Sequence, residues 1–171
     1  DEPATGTPIC FQSGNRVVFD DTAPSSGSQI EVEGTIQASS IVFENNERQY
    51  NLVRSANSGV LTGSGQLIIS GGGSVTIDVE NQLIKGTYLK NGKLKMGSYN
   101  SPNPFGTSLL SEGGSVHFSF NTSNYVTVNT PITFSEGKSL DVYTSRYSYW
   151  MSSLTGQGTL NIYAGGERSY L

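Results

Sequence analysis

One pattern recurs along this chain and limits what it can fold into: a glycine, a spacer, then an apolar, a polar and an apolar residue. It reads Gly73-Ser74-Val75-Thr76-Ile77, Gly92-Lys93-Leu94-Lys95-Met96 and Gly114-Ser115-Val116-His117-Phe118. With one extra residue it returns as Gly137-Lys138-Ser139-Leu140-Asp141-Val142, and then as Gly158-Thr159-Leu160-Asn161-Ile162. The first apolar members stand at 75, 94, 116, 140 and 160, between 19 and 24 residues apart. A strand in every unit at a period near twenty residues predicts a solenoid, because one unit cannot bury its apolar face alone and stacked units can. Helical periodicity is nearly absent, and alternating runs bounded by Gly, Asn and Ser read as strands.

The prediction is therefore all-β: a single-chain parallel β-helix of about six to seven coils, occupying residues 1–171 as one domain. Val75, Leu94, Val116, Leu140 and Leu160 are expected to form one interior column, and Ile77, Met96, Phe118, Val142 and Ile162 the next. Glycines ahead of the strands supply corners with φ > 0. A second strand per coil is expected at Gly65–Ile69, Ser108–Leu110, Tyr125–Val128 and Ile132–Phe134. Upstream, Arg16–Phe19, Ile30–Glu33 and Ser40–Phe43 continue the alternation more loosely. Glu44–Arg48 reads as a turn and Asp20–Ser28 as a corner loop. The insert Asn100–Gly106 must leave the sheet, since each of its prolines lacks a ladder donor.

Charged residues are only 14% of the chain, and β-branched and aromatic residues recur throughout, which marks an ordered β protein, not a disordered one. The net charge of -4 and the absence of any basic run argue against a phosphate-tracking, nucleic-acid-binding surface. No apolar run approaches the ~20 residues of a membrane helix, so no membrane insertion is expected. Cys10 is the only cysteine, cannot form an internal disulfide, and reads as a small buried hydrophobe beside Ile9 and Phe11. The abrupt start at Asp1 reads as a mature end or an excised domain of a larger secreted protein.

The segment Gly86-Thr87-Tyr88-Leu89-Lys90-Asn91-Gly92-Lys93-Leu94-Lys95-Met96-Gly97, followed by Asn100, Phe105-Gly106-Thr107 and Gly113-Gly114-Ser115-Val116, resembles the autotransporter-associated β-strand repeat. In that family a "GGTTVNNGTLKLG" stretch leads to "LGSGTVTVNGGTL". Gly34-Thr35-Ile36, Ile41-Val42-Phe43-Glu44-Asn45-Asn46 and Gly63-Ser64-Gly65-Gln66-Leu67 are similar to the preceding half-coils, so the likeness spans about residues 16 to 118. The resemblance implies a right-handed β-helix in a secreted or cell-surface bacterial protein of the adhesin-passenger type. More loosely, the size and aromatic content resemble a β-helical carbohydrate-binding module carried by a secreted xylanase-like enzyme. That likeness implies a polysaccharide partner, xylan-like by preference, and covalently attached catalytic or anchoring domains.

The residues offer one candidate binding cluster. Tyr143, Arg146, Tyr147, Tyr149 and Trp150 crowd eight positions, and Tyr163 follows one coil later in the same outward column as Tyr143. Pyranose C–H faces stack on exposed aromatic rings, and sugar hydroxyls take hydrogen bonds from Tyr and Arg. The competing reading is that these residues cap the last coil of the solenoid, which must hide its core layer and its unpaired edge. Tyr88, Tyr99 and Tyr125 are isolated. Ser115, His117 and Asp141 superficially offer a triad, with Asp141 beside His117 one coil on. Outward residues two apart on a strand lie ~6.6 Å apart, however, so Ser115 is expected out of hydrogen-bond reach. Thr76, Lys95, His117, Asp141 and Asn161 are expected to form one polar outer column. Asp78, Glu80, Glu112, Glu136 and Asp141 are too dispersed for a lyase or glycosidase pair. Gly71-Gly72-Gly73 lacks the Asp of a calcium-binding repeat and the Lys and helix of a phosphate loop. No enzyme activity, cofactor or metal is predicted.

Overall fold

The computed structural model describes residues 11–23, 28–97, 103, 105–118, 126–144, 148–150 and 152–164, the side chains of 56–57, 126–127 and 148–150 excepted. Every regular element among them is a strand, and the ladders pair parallel. One sheet of seven strands stacks β1 (Arg16–Phe19), β3 (Ser40–Phe43), β5 (Leu67–Ile69), β8 (Thr87–Leu89), β10 (Leu109–Ser111), β13 (Ile132–Phe134) and β16 (Leu154–Gly156) in that order. The facing sheet stacks β2 (Gln29–Gln37), β4 (Gln49–Thr62), β6 (Ser74–Asp78), β9 (Lys93–Met96), β11 (Ser115–Phe118), β14 (Ser139–Thr144) and β17 (Thr159–Ala164), with β7 (Glu80–Asn81) also on β4. The chain alternates between the two sheets as it climbs, which makes a parallel β-solenoid of about 6 turns. A third, two-stranded ladder joins β12 (Val126–Val128) to β15 (Ser148–Trp150).

Period-2 alternation sets the interior. In β11 Val116 and Phe118 are buried while Ser115 and His117 are half-exposed, and β9 repeats this with Leu94 and Met96 against Lys93 and Lys95. Side chains of the two sheets meet in one continuous core that includes Leu67, Ile69, Leu89, Leu94, Leu109, Val116 and Ile132. Burying each such side chain contributes about 1.5–3 kcal/mol. At the first coils Phe43 stacks on Phe19 at 5.0 Å between ring centroids and tilts against Tyr50 at 5.6 Å. An apolar cleft of about 160 Å³ opens beside that cluster, lined by Phe11, Val17, Ile30, Val32 and Leu61.

Polar side chains hold the corners. The Asp21 carboxylate accepts backbone N–H bonds from Asn46 at 2.8 Å and Arg48 at 3.0 Å, so the 44–48 turn is tied to the coil before it. Those bonds hold the Asp21 carboxyl below its usual pKa. Buried Asn45 donates to Arg48 O at 2.6 Å, one coil below the closely packed Gly71 and Gly73. Phe105 is fully buried and tilts against Phe118 at 5.7 Å between centroids, so the chain after the proline-containing insert returns to the core. Cys10 and most of that insert lie outside the described residues.

The interior columns differ from the predicted ones at a single joint. Val75, Leu94 and Val116 stack in register, but the next members are Val142 and Ile162, not Leu140 and Leu160. Ile77, Met96 and Phe118 likewise continue into Thr144 and Ala164. Strand β14 begins two residues early relative to β11: Asp141 N donates to Gly114 O, which sets Leu140 above the glycine corner. A shift of two keeps the apolar residues inside while moving each outward residue to a new neighbour.

Candidate functional site

That two-residue shift builds the most distinctive feature of the outer surface. His117 pairs with Tyr143, and Tyr143 with Tyr163, on the outward face of three successive coils. The imidazole stacks on the Tyr143 ring at 4.3 Å between centroids and 7° between planes, and Tyr143 on Tyr163 at 4.5 Å and 12°. The strand spacing of ~4.8 Å brings identical or similar flat side chains to stacking distance, so a parallel ladder favours this arrangement. Both faces of Tyr143 are covered by neighbouring rings. Tyr163, 48% exposed, has the rest of its surface toward solvent.

Beside the ring ladder runs a second outward column of Lys93, Ser115, Asp141 and Asn161. Asn161 Nδ2 donates to Asp141 Oδ1 at 2.9 Å. Asp141 therefore stands opposite Ser115, and the predicted neighbour of His117 at that level is replaced by Tyr143. The expected column of Thr76, Lys95, His117, Asp141 and Asn161 is corrected to Thr76, Lys95, His117, Tyr143 and Tyr163.

Ser115 and His117 correct a second expectation. Ser115 Oγ lies 2.9 Å from His117 Nε2, a hydrogen bond across two positions of one strand. The spacing of backbone positions misled, because both side chains lean along the strand toward each other. Burial, then the nearby Lys93 and Lys95 ammonium groups, push the His117 pKa below its usual value, with Asp141 opposing. Lowered in this way, His117 is neutral near pH 7 and Nε2 can accept the Ser115 proton as a hydrogen bond.

The sign of the resulting pH dependence is fixed. A histidine whose folded pKa lies below its unfolded value of 6.5 gives stability that is present above pH 6.5 and lost as pH falls through the folded pKa. His117 is the only histidine, so a thermal-melt series from pH 7.5 to 5.5 should show Tm falling, with a shallower fall in His117→Gln. Equal slopes in the two proteins would mean the ladder does not disfavour imidazolium.

The described members of the predicted cluster lie on strands of two sheets. Tyr143 and Tyr163 share the β14–β17 ladder, whereas Tyr149 and Trp150 belong to β15, paired with Thr127 and Val128 of β12 in the third sheet. The side chains of Tyr149 and Trp150, and all of Arg146 and Tyr147, fall outside the described residues, as do Tyr99 and Tyr125. Tyr88 lies on the other large sheet in β8, with the Lys90 ammonium 5.2 Å from its ring centroid. The sequence reading missed His117 as a ladder member. Its signal would have been three flat side chains at in-register positions of consecutive strands.

Among the described residues no group of three or more His, Cys, Asp or Glu side chains is placed to hold a metal ion. Among the same residues no helix is long and apolar enough to cross a membrane. No protein-family profile, no curated protein and no solved structure matches the chain.

Proposed function

We propose that this chain is a non-catalytic carbohydrate-binding module that holds a plant-type, xylan-like polysaccharide and targets an attached enzyme to it. The observation that carries the reading is the ring ladder ending in the exposed Tyr163 face, flanked by Ser115, Asp141 and Asn161. A sugar ring needs one flat apolar partner and several hydrogen-bonding groups at its rim, and this surface supplies both. Stacking fixes the Tyr rings before a ligand arrives, so little rotamer entropy remains to be lost on binding. Tyr147, Tyr149, Trp150 and Arg146 would extend the surface toward the third sheet.

A second reading rests on a separate observation. Because neighbouring rings cover both faces of Tyr143, the ladder can act as a staple between coils of a structural or adhesive solenoid of a bacterial surface protein. Affinity electrophoresis through gels containing xylan, glucomannan, β-glucan, pectin or no polymer separates the two. The module reading expects retardation in at least one gel, weakened at least ~10-fold by Tyr163→Ala with the fold intact, as loss of about 1.4 kcal/mol of contact would give. Retardation in none would leave the scaffold reading standing.

A further inference from the structure

The charges are unevenly divided along the sequence. Ten of the fourteen acidic residues precede Lys85, whereas seven of the ten basic residues lie from Lys85 onward. A molecule that is acidic overall is therefore basic in the half that carries the ring ladder.

Two of those basic side chains border the ladder directly. Lys93 and Lys95 take alternate outward positions of β9, with buried Leu94 between them. In register, Lys93 faces Ser115 and Lys95 faces His117 on the next coil. Two ammonium groups, a hydroxyl and an imidazole thus form an outward quartet on backbone positions about 4.8 Å apart across the coils and ~6.6 Å along the strand, with Ser115 Oγ and His117 Nε2 drawn together to 2.9 Å. Among the described residues neither lysine has a carboxylate within ion-pairing distance, the pair that does form being Arg16–Glu44 at 3.5 Å. The acids nearest in register are Asp78, on the coil below Lys95 and against Gly97, and Asp141, which lies beyond Ser115 and takes the amide of Asn161. Like charges at neighbouring outward positions cost energy unless an opposite charge joins them. Burial first, and then the two ammonium groups, lower the His117 pKa, in keeping with their proximity to the ring.

We infer that the polysaccharide is an anionic one, with a carboxylate or sulfate group seated against Lys93, Lys95 and the Ser115 hydroxyl while adjoining sugar rings lie along the ladder. This rests on the glycan-binding reading and adds its substrate class. The ammonium groups supply charge; when the His117 tautomer protonated at Nε2 donates to Ser115 Oγ, the hydroxyl proton is released to the anion as a directional donor, and each such charge-assisted bond is shorter and stronger than a neutral one.

The test is calorimetric titration of the full chain with polygalacturonate, dextran sulfate, neutral arabinoxylan and poly-L-glutamate, at low and at raised salt. It is repeated with the double variant Lys93→Gln, Lys95→Gln, whose fold is checked by circular dichroism. The expected result is binding of one acidic glycan at least tenfold tighter than the neutral one, lost in the double variant and weakened by salt. Which acidic glycan binds assigns the group as carboxylate or sulfate. Equal binding of arabinoxylan, unchanged in the double variant, would overturn the anionic class and leave the module reading intact. Poly-L-glutamate binding as well as the glycans would also overturn it, since the quartet would then be an unselective basic patch. Binding of none of the four would remove the inference, and with silent polysaccharide gels it would remove the module reading too.

Discussion

Phe43→Ala is expected to lower the free energy of unfolding by about 3–5 kcal/mol, the range for truncating a fully buried aromatic residue. Phe43 is completely buried at the end of β3, where it joins the two large sheets. It contacts Phe19 from the coil below and Tyr50 from its own coil. Tyr50 is itself fixed, because its hydroxyl donates to the Asp20 carbonyl at the corner. The ring cluster therefore has few ways to collapse into the space left by Phe43, and a cavity that persists raises the cost. Phe43→Leu, which keeps most of the apolar volume, should cost less, about 1.5 kcal/mol or under. Urea unfolding followed by far-ultraviolet circular dichroism measures both. Fluorescence of Trp150, the only tryptophan, reports the C-terminal coils in the same experiment. Coincident shifts of both signals would show the coils unfolding as one unit, and a Phe43→Ala shift worth under ~1 kcal/mol would show that the cluster closes up.

Much of the fold could be read from residue order, and each miss has a physical cause. Strands such as Arg16–Phe19 and Ser40–Phe43 appear at the predicted places because apolar alternation and bounding polar residues define them locally. β4 escaped because its alternation breaks: Tyr50 and Leu52 point inward, and a register irregularity between Val32 and Gly34 on the partner strand precedes Val60 and Leu61. The slip between β11 and β14 escaped for a sharper reason. Moving a strand by two residues leaves every apolar side chain inside, so hydrophobic pattern cannot choose between the two registers. The choice falls to the Gly114 corner, which accommodates Leu140, and to the stacking of His117 on Tyr143. Candidate-site residues inherit that ambiguity, because an outward residue is defined by its neighbours on other coils. Crowding of Tyr143 to Trp150 in sequence likewise gave no warning that β14 and β15 belong to different sheets.

The glycines ahead of the strands give the second large expected effect, and they separate two roles that look alike in sequence. Gly92 and Gly137 both have positive φ, at +81° and +68°, where an L side chain costs about 1–2 kcal/mol. At Gly73 and Gly158 φ lies outside that range, and those glycines answer instead to the backbone of the coil below. Gly92 meets both demands, since a Cβ there would lie 2.3 Å from Gly71 O and 2.8 Å from Gly73 O. At Gly137 a Cβ would meet nothing within 4 Å. Gly137→Ala should therefore cost only the conformational amount, about 1–2 kcal/mol. Gly92→Ala should cost that plus about 1–3 kcal/mol for forcing two coils apart, roughly 2–5 kcal/mol together. Urea midpoints of the two variants measure the difference directly, and equal losses would mean that the coils separate freely at this corner. Gly92 also precedes Lys93, so the corner that fixes the coil spacing aims the proposed anion-binding lysines at the ring ladder. A Gly92→Ala protein that remains folded should accordingly bind an acidic glycan more weakly, whereas Gly137→Ala, two coils away from those lysines, should leave that affinity unchanged.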